Sequence, residues 1–368
     1  MKLFCNQKDL EHALNIVDKA ISPNNTLPVL NNILLKAEGK KLFLFSTNLE
    51  IAISCYINAD VRGEGSITVP AKLLTNYISL LNSEKVELNM VEGVALSLTS
   101  ASSSTKIKCI SADEFPLIPK IEKSHEFTLK LDEFYEAINE TVFAASLNTS
   151  RPVLSGVLMI VSGTEVKLVA TDSYRLAEKK IQALKKVDEE VSCIIPAKTM
   201  IELGKIISKS EEKEVKVNIS NNQILFTSDG IELISRLIEG KFPDYEKIIP
   251  KDTKSKMEVS VEDLSLVLKR VSLFARENNN SVKLSVTNDG KLVISSDETK
   301  VGEEKAELIV KLEGENNKIS LNSQYLLDVL TYINKDKIVF SMSDKVSPAV
   351  IRPAEGSDYV YIIMPLKV

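Results

Sequence analysis

The sequence repeats one plan of helices and strands three times, and this repetition limits the possible folds more than any other feature. Each copy has an acidic residue within the first two positions of an amphipathic helix pattern. It then continues through a polar loop that contains asparagine into a strand pattern. The three copies of this segment begin at Lys8, Asp132 and Glu262. A spacing of about 125 residues gives each copy the length of an ordinary globular domain.

A second helix pattern and a closing pair of strands follow in every copy. Pro70, Pro196 and Asn322 stand at the start of this second helix and are 126 residues apart. Proline suits the first turn of a helix, and asparagine is a good N-cap. The sequence therefore predicts an α+β chain of three tandem similar domains, with the last strand of the third copy in the C-terminal segment YIIMPLKV.

Charged stretches without apolar periodicity separate the three copies. They place the predicted domains at 1–123, 124–254 and 255–368. Extended solenoids use repeats of about 20–45 residues, so three copies of this larger size favour a ring or an arc of domains.

Composition and charge argue against several classes of protein. The chain has 368 residues, 44% of them hydrophobic, and a formal net charge of −5. No stretch approaches the ~20 apolar residues of a membrane span, and the charged N-terminal segment is unlike a signal peptide. We therefore expect a cytoplasmic protein. The acidic balance also argues against a simple nucleic-acid binder with one strong basic patch.

Little in the sequence suggests catalysis or a bound cofactor. The four cysteines are widely scattered, which indicates reduced thiols and no metal site. His12 and His125 are the only histidines, neither lies near a serine-nucleophile motif, and phosphate-binding glycine loops are absent. An enzyme is disfavoured. The open alternatives are a multi-domain enzyme with an active site between repeats, built on carboxylates such as Asp172, and a structural scaffold that does not bind DNA.

Rows of basic and polar side chains occur on the helices of several copies. The rows consist of Lys8, His12, Asn15 and Lys19 in the first copy, Lys198, Lys205 and Lys209 in the second, and Ser265, Lys269, Ser272 and Arg276 in the third. A solvated helix face explains any single row, but recurrence in several copies favours a shared surface role. The helix that begins at Asp132 departs from this pattern, because its polar face is acidic.

The threefold plan, together with three short motifs, resembles the bacterial β sliding clamp family, the processivity subunits of the replicative DNA polymerase. The motifs are ATDSYRLA, FPDYEKIIP and YIIMPLKV. The resemblance covers the whole chain and implies the DNA clamp fold, with two helices and antiparallel sheets per domain and a non-catalytic, head-to-tail dimeric ring. Two helices from each of six domains, spaced by about 9 Å, leave a hole of about 23 Å for a duplex about 20 Å wide.

The resemblance also implies partners and site residues. The partners are duplex DNA without sequence preference, the replicative polymerase, the clamp loader and repair polymerases, which bind through short apolar peptides, and a second copy of the chain. No cofactor, metal or membrane is implied. The DNA-facing set is Lys8, Lys19, Asn24, Lys72, Arg151, Lys198, Lys205, Lys209, Lys269 and Arg276. Modest lysine rows and an acidic exterior suit a ring that must slide. The predicted dimer seam places Thr105 and Ile107 against Leu273 and Phe274.

A peptide-binding cleft is implied between the second and third domains. Its residues are Leu154, Thr171, Ser173, Tyr174, Arg175, Leu176, Pro243, Lys247, Ile248, Asn322, Tyr325, Val346, Ile362, Ile363, Met364, Pro365 and Leu366. Leu154 and Ile363 are equally consistent with domain core, whereas a flexible thioether makes Met364 a stronger cleft residue. The chain departs from the family at Ser173-Tyr174, where members often have Gly-His, and at Asn24, where they often have arginine.

Overall fold

The computed structural model describes residues 1–22, 27–82, 84–91, 94–101, 103–118, 121, 124–250, 252–356 and 358–366. The chain divides into two compact units. The first unit is Met1–Leu131 with Glu202–Leu237, and the second is Asp132–Ile201 with Ile238–Val368. Within the described residues each of the three sequence copies contributes two α-helices and a set of antiparallel strands, as the repeat predicts.

In the described residues the first and third copies have the same order of elements, and the second has two long strands between its helices where they have five. The first copy comprises β1 (Lys2–Asn6), α1 (Gln7–Val17), β2 (Asn32–Glu38), β3 (Lys41–Thr47), β4 (Ile51–Asn58), β5 (Asp60–Gly63), β6 (Gly65–Pro70), α2 (Ala71–Ser79), β7 (Lys85–Val91), β8 (Ala95–Thr99) and β9 (Ser104–Lys108). The second comprises β10 (His125–Lys130), α3 (Leu131–Val142), β11 (Gly156–Thr171), β12 (Arg175–Pro196), α4 (Ala197–Ile207), β13 (Glu214–Ile219), β14 (Gln223–Ser228) and β15 (Ile231–Arg236).

The third copy closes the chain. It comprises β16 (Ser255–Ser260), α5 (Val261–Ala275), β17 (Ser281–Thr287), β18 (Lys291–Ser296), β19 (Lys305–Ile309), β20 (Lys311–Gly314), β21 (Asn317–Asn322), α6 (Ser323–Tyr332), β22 (Lys337–Met342), β23 (Ala349–Pro353) and β24 (Tyr359–Ile363). The predicted C-terminal strand is confirmed as β24, and all five of its residues are buried.

Antiparallel sheets organise both units. In the first unit one sheet has the order β5-β1-β7-β8-β9, and a second runs β10-β13-β14-β15-β4-β3-β2-β6. In the second unit the orders are β19-β18-β17-β21 and β20-β16-β22-β23-β24-β12-β11. Strands from consecutive copies therefore pair with each other inside each unit: β4 of the first copy with β15 of the second, and β12 of the second with β24 of the third.

The helices begin where the sequence signals predict, but the predicted rows of basic residues extend beyond the ends of the helices. Asn322 caps α6 by accepting hydrogen bonds from the backbone N–H groups of Gln324 and Tyr325, as predicted. By contrast, Lys19 lies in a 3₁₀ turn beyond α1, Lys209 lies in a turn beyond α4, and Arg276 is the residue after α5. The last cation of each predicted row is thus outside its helix, because the i, i+4, i+7, i+11 pattern does not detect where a helix stops.

The four cysteines are free thiols, in line with the sequence prediction. Burial raises the pKa of Cys5, Cys55 and Cys193 to about 12. They are neutral packing groups at physiological pH.

Candidate functional site

A tight turn joins β11 to β12 beside the predicted peptide cleft. The Asp172 carboxylate accepts hydrogen bonds from the backbone N–H groups of Tyr174 and Arg175 at 2.9 and 3.0 Å. The Thr171 hydroxyl accepts one from the N–H of Ser173 at 3.1 Å. Ser173 has a φ of 79°, a conformation that is uncommon for a residue with a side chain. These local bonds fix the turn and leave the Tyr174 side chain 63% exposed.

The Arg175 guanidinium is enclosed by partners. Its Nε donates to the Asp172 carboxylate at 3.0 Å, Nη2 donates to the Phe143 carbonyl oxygen at 2.8 Å, and Nη1 pairs with Asp328. Its Cζ lies 4.5 Å from the Tyr325 ring centroid and 5.6 Å from that of Phe143. Burial disfavours the charge, but the acidic groups around it outweigh burial and raise the pKa of Arg175. This arrangement is a structural fork that joins β12, α6 and the end of α3.

Arg175 was predicted as a residue of the peptide cleft, and only 10% of its side chain is exposed. It supports the turn from below, so Tyr174 is the exposed member of the pair. The ion pair with Arg175 also gives Asp172 a structural role, and Asp172 is the carboxylate named above for the alternative of an enzyme active site.

Four apolar residues of the predicted cleft lie in the interior of the second unit. Leu154, Leu176, Ile362 and Ile363 are each at most 5% exposed. Leu176 and Ile362 belong to a core cluster that also contains Phe242 and Tyr245. Leu154 lies in the 3₁₀ turn 152–155 and the other three on β12 and β24, all with their side chains turned inward. Their contact with a peptide stays a prediction.

Apolar side chains remain exposed above this core. Val346 is 68% exposed and Ile248 is 44% exposed, and Pro243 is also exposed. Lys247 is exposed and forms an ion pair with Asp244. Together with Tyr174, Val346 and Ile248 are the exposed large apolar side chains of the predicted cleft, and an apolar partner that covers them would remove this surface from water.

The C-terminal tail is held by backbone bonds after the strand ends. β24 stops at Ile363, as the following proline predicts. The N–H of Met364 donates to the Tyr174 carbonyl oxygen at 2.8 Å, and that of Leu366 donates to Ser320 at 2.9 Å. Met364, Pro365 and Leu366 are half-buried, as is Tyr325, and Asn322 is occupied in capping α6. The tail therefore lies in a defined position next to Tyr174.

A buried ion cluster in the second unit was not predicted from the sequence. The Lys179 ammonium lies 2.7 Å from Glu140, 2.9 Å from Asp358 and 3.6 Å from Glu136. Burial raises the pKa of Glu140, while the hydrogen bond and charge of Lys179 outweigh burial and lower the pKa of Asp358. The acidic face of α3 was the available signal. Its partner lies on β12, which the sequence alone does not place against it.

The predicted DNA-facing side chains are mostly accessible. Lys8, Lys72, Arg151, Lys198, Lys205, Lys209, Lys269 and Arg276 are exposed and Lys19 is half-buried, whereas Asn24 lies outside the described residues. Lys205 forms an ion pair with Glu202 at 2.9 Å. Arg151 lies close to the peptide-site turn, where it donates to the Ser173 hydroxyl at 3.4 Å. Their contact with DNA stays a prediction.

The predicted dimer residues lie on or near sheet edges. Thr105 and Ile107 belong to β9, which ends the order of described strands in its sheet, but the Ile107 side chain is only 5% exposed. Ile107 thus packs inside its own unit and offers the seam only its backbone. On α5, Leu273 is 55% exposed and Phe274 is half-buried.

Neither a metal-ligand cluster nor a membrane-spanning helix occurs in the described residues. No group of three or more histidine, cysteine, aspartate or glutamate side chains there is arranged to hold a metal ion. None of the helices in the same residues is long and apolar enough to cross a membrane.

Comparison with known families matches all three copies. Residues 1–119 match the N-terminal domain of the DNA polymerase III beta subunit, residues 128–244 its central domain, and residues 246–367 its C-terminal domain. The beta sliding clamps of Staphylococcus epidermidis and Staphylococcus aureus are each 33% identical over 364 residues, which cover 96% of this chain and 96% of the relative.

Solved structures agree with the sequence comparison. The DNA polymerase sliding clamp from Bacillus subtilis superposes with a TM-score of 0.96 at 29% identity, covering 100% of this chain and 99% of that one. The sliding clamp from Pseudomonas aeruginosa, solved bound to griselimycin, has a TM-score of 0.95 at 29% identity and complete coverage (100%) of both chains. Fold and repeats together define a three-domain DNA clamp. The chain belongs to the family of bacterial DNA polymerase III beta subunits, and its function is that of a DNA sliding clamp, a non-catalytic processivity factor.

Proposed function

We propose that this chain forms a head-to-tail dimeric ring around duplex DNA in the cytoplasm and tethers the replicative polymerase, the clamp loader and repair polymerases through short apolar peptides. The family assignment supports the ring and the DNA partner. We retain the boundaries 1–123, 124–254 and 255–368 for the three domains. The exposure of Tyr174, Ile248 and Val346 in the second unit, together called the rim, is the observation that carries the peptide-binding role.

This rim is suited to a peptide because its support is rigid. The turn that presents Tyr174 is fixed by Asp172, and the Arg175 fork ties that turn to α6. The tail is bonded to the same turn through Met364. A preformed surface spares a ligand the entropic cost of ordering it, and the Met364 thioether adapts to different apolar side chains.

A titration with a labelled apolar peptide from a polymerase tests the role. Tyr174→Ala removes the most central exposed ring, and we expect it to weaken binding at least about tenfold, equivalent to ~1.4 kcal/mol. Deleting 364–368 should abolish binding while most of the fold remains, because only the two backbone bonds of Met364 and Leu366 are among the described hydrogen bonds lost. Tyr56→Ala is a matched control, since this tyrosine is 42% exposed in the other unit. Unchanged affinity in a folded, dimeric truncation would contradict the proposal.

The ring closes through two equivalent contacts between copies. Head-to-tail closure joins the first domain of one chain to the third domain of its partner, and an open sheet edge suits such a contact. β9 supplies such an edge in one unit and β19 in the other, where Ile309 is 81% exposed. Light scattering should give about twice the 40.8 kDa chain mass. A strict monomer at micromolar concentration would count against the ring.

A further inference from the structure

We propose that the first unit carries a second peptide-docking groove, which accepts one apolar side chain beside a carboxylate. The groove lies between the turn at 47–51, the segment 116–118 and the end of β15 at Arg236. The proposal rests on the peptide-binding role proposed for the cleft around Tyr174, because the two places share their construction.

The turn between β3 and β4 has the same hydrogen bonds as the turn that presents Tyr174. The Thr47 hydroxyl accepts from the N–H of Leu49 at 3.0 Å, where Thr171 accepts from Ser173 at 3.1 Å. The Asn48 carboxamide oxygen accepts hydrogen bonds from the N–H groups of Glu50 and Ile51. The Asp172 carboxylate accepts the corresponding bonds from Tyr174 and Arg175. Leu49 has a φ of 74° and Ser173 a φ of 79°. Both turns therefore present the following residue in the same way.

The strands next to the two turns pair in the same register. Ile51 faces Ser235 between β4 and β15, where Arg175 faces Ile363 between β12 and β24. Beyond these pairs, the N–H of Arg236 donates to the Glu50 carbonyl oxygen at 2.9 Å. The corresponding bond of the peptide cleft, from Met364 to Tyr174, measures 2.8 Å. Arg236 thus holds the place that the adaptable thioether holds in the other unit.

The apolar support is repeated as well. Phe115 is buried with Val29 and Leu30, and Ile118 packs against this cluster. Phe242 and Tyr245 have the corresponding place beneath the peptide cleft. The groove above has a volume of about 200 Å³. This is room for one side chain of a short peptide and too little for the surface of another folded copy.

Two leucines at the groove have no structural reason for their exposure. Leu117 is 98% exposed, and Leu49 is 48% exposed although its left-handed backbone conformation is disfavoured for leucine. Neither belongs to the core cluster beneath. Apolar side chains held out in this way on a fixed turn and a short segment fit a partner that covers them.

Charge indicates the rest of the ligand. The Arg236 side chain is exposed and has no ion pair among the described residues, whereas the buried Arg175 is neutralised by two carboxylates. Glu50 also lines the groove, and its backbone carbonyl oxygen is bonded to the Arg236 N–H. A peptide carboxylate next to the apolar side chain would therefore bind at the Arg236 end, through a charge-assisted bidentate bond.

The probe is a fluorescein-labelled, amidated tetrapeptide with two leucines, one phenylalanine and one aspartate, compared with the same peptide carrying lysine for aspartate. Hydrogen exchange read by mass spectrometry locates each peptide on the full-length protein. We expect protection at 47–52 and 115–118 by the aspartate peptide, in addition to protection around Tyr174. Arg236→Glu should weaken peptide binding at 47–52 and 115–118 about tenfold and reverse the preference between the two peptides there. Leu117→Ser should weaken it without a change in charge preference, and Lys216→Glu, an exposed cation of the same unit, should change neither.

The outcomes separate this inference from the proposed function. Protection around Tyr174 alone at saturating peptide overturns the second groove and leaves the cleft intact. Protection at 47–52 and 115–118 alone supports the groove and rejects the cleft. Equal effects of Arg236→Glu and Lys216→Glu, or a rise in protein mass in place of peptide binding, would also overturn the groove.

Discussion

Replacing Arg175 with alanine tests whether the fork beneath the peptide cleft holds the second unit together. The variant loses two ion pairs, a hydrogen bond to the Phe143 carbonyl oxygen and stacking on Tyr325. It also leaves two carboxylates, with side chains 14% and 25% exposed, without their cation. Breaking a fully buried pair costs about 3–5 kcal/mol, and partial exposure of these carboxylates reduces our estimate to about 2–4 kcal/mol.

Thermal unfolding measures this loss directly. For a unit of 150–250 residues, 1 kcal/mol changes Tm by about 2–4 °C, so we expect a fall of about 5–15 °C in the transition of the second unit. Arg175→Lys keeps a charge but lacks the planar fork, so its Tm should lie between those of the wild-type protein and Arg175→Ala. Arg151→Ala is the matched control, because Arg151 is exposed and makes one hydrogen bond of 3.4 Å. Equal Tm values for Arg175→Ala and Arg151→Ala would refute the role of the fork.

Three further changes test other parts of the account. Lys179→Met should destabilise the fold at pH 7 by about 3–5 kcal/mol, because it strands the buried Glu140 carboxylate. The pKa of Glu140 is already above its ordinary 4.5 and should rise further in the variant, so the folded variant binds a proton more tightly than the unfolded chain. The loss of stability relative to the wild-type protein should therefore shrink from pH 7 to 5. A loss that grows over that range in urea titrations would contradict this. Gly156→Ala should lower the free energy of unfolding by about 1–3 kcal/mol, since its Cβ would lie 2.5 Å from an Ile194 methyl carbon and 2.9 Å from a backbone oxygen. An unchanged urea midpoint would show that the core accommodates the added methyl group. Changing Lys198, Lys205 and Lys209 together to alanine should weaken binding equally on unrelated duplexes and flatten its salt dependence, and a strong dependence on base sequence would count against phosphate contact.

The sequence predicts the fold well because the same pattern of helices and strands occurs in three copies. A single helix pattern near Lys8 would be weak evidence, but the same pattern at Asp132 and Glu262 makes the helices and their order secure. The caps and prolines that start the second helices act locally, so their effect can be read without knowing the tertiary structure.

The division of cleft residues between core and surface could not be predicted in the same way. Ile362 and Ile363 are neighbours on a strand and would ordinarily point to opposite faces, yet both are buried, so both faces of β24 are covered by other parts of the chain. Arg175 is polar and was expected at a surface, but its two carboxylate partners lie 3 and 153 residues away in sequence. Long-range pairing of this kind leaves no local pattern.

The most direct test of the central claim is retention on DNA of defined topology. The protein is loaded onto a nicked circular plasmid by a clamp loader, and the amount that remains bound is followed in high salt before and after a single cut linearises the plasmid. A ring is held by topology, and salt weakens only its contacts with phosphate. We predict retention on the circle and rapid release after the cut. Equal release from circular and linear DNA, or equal retention on both, would contradict the assignment of this chain as a ring that slides along the duplex.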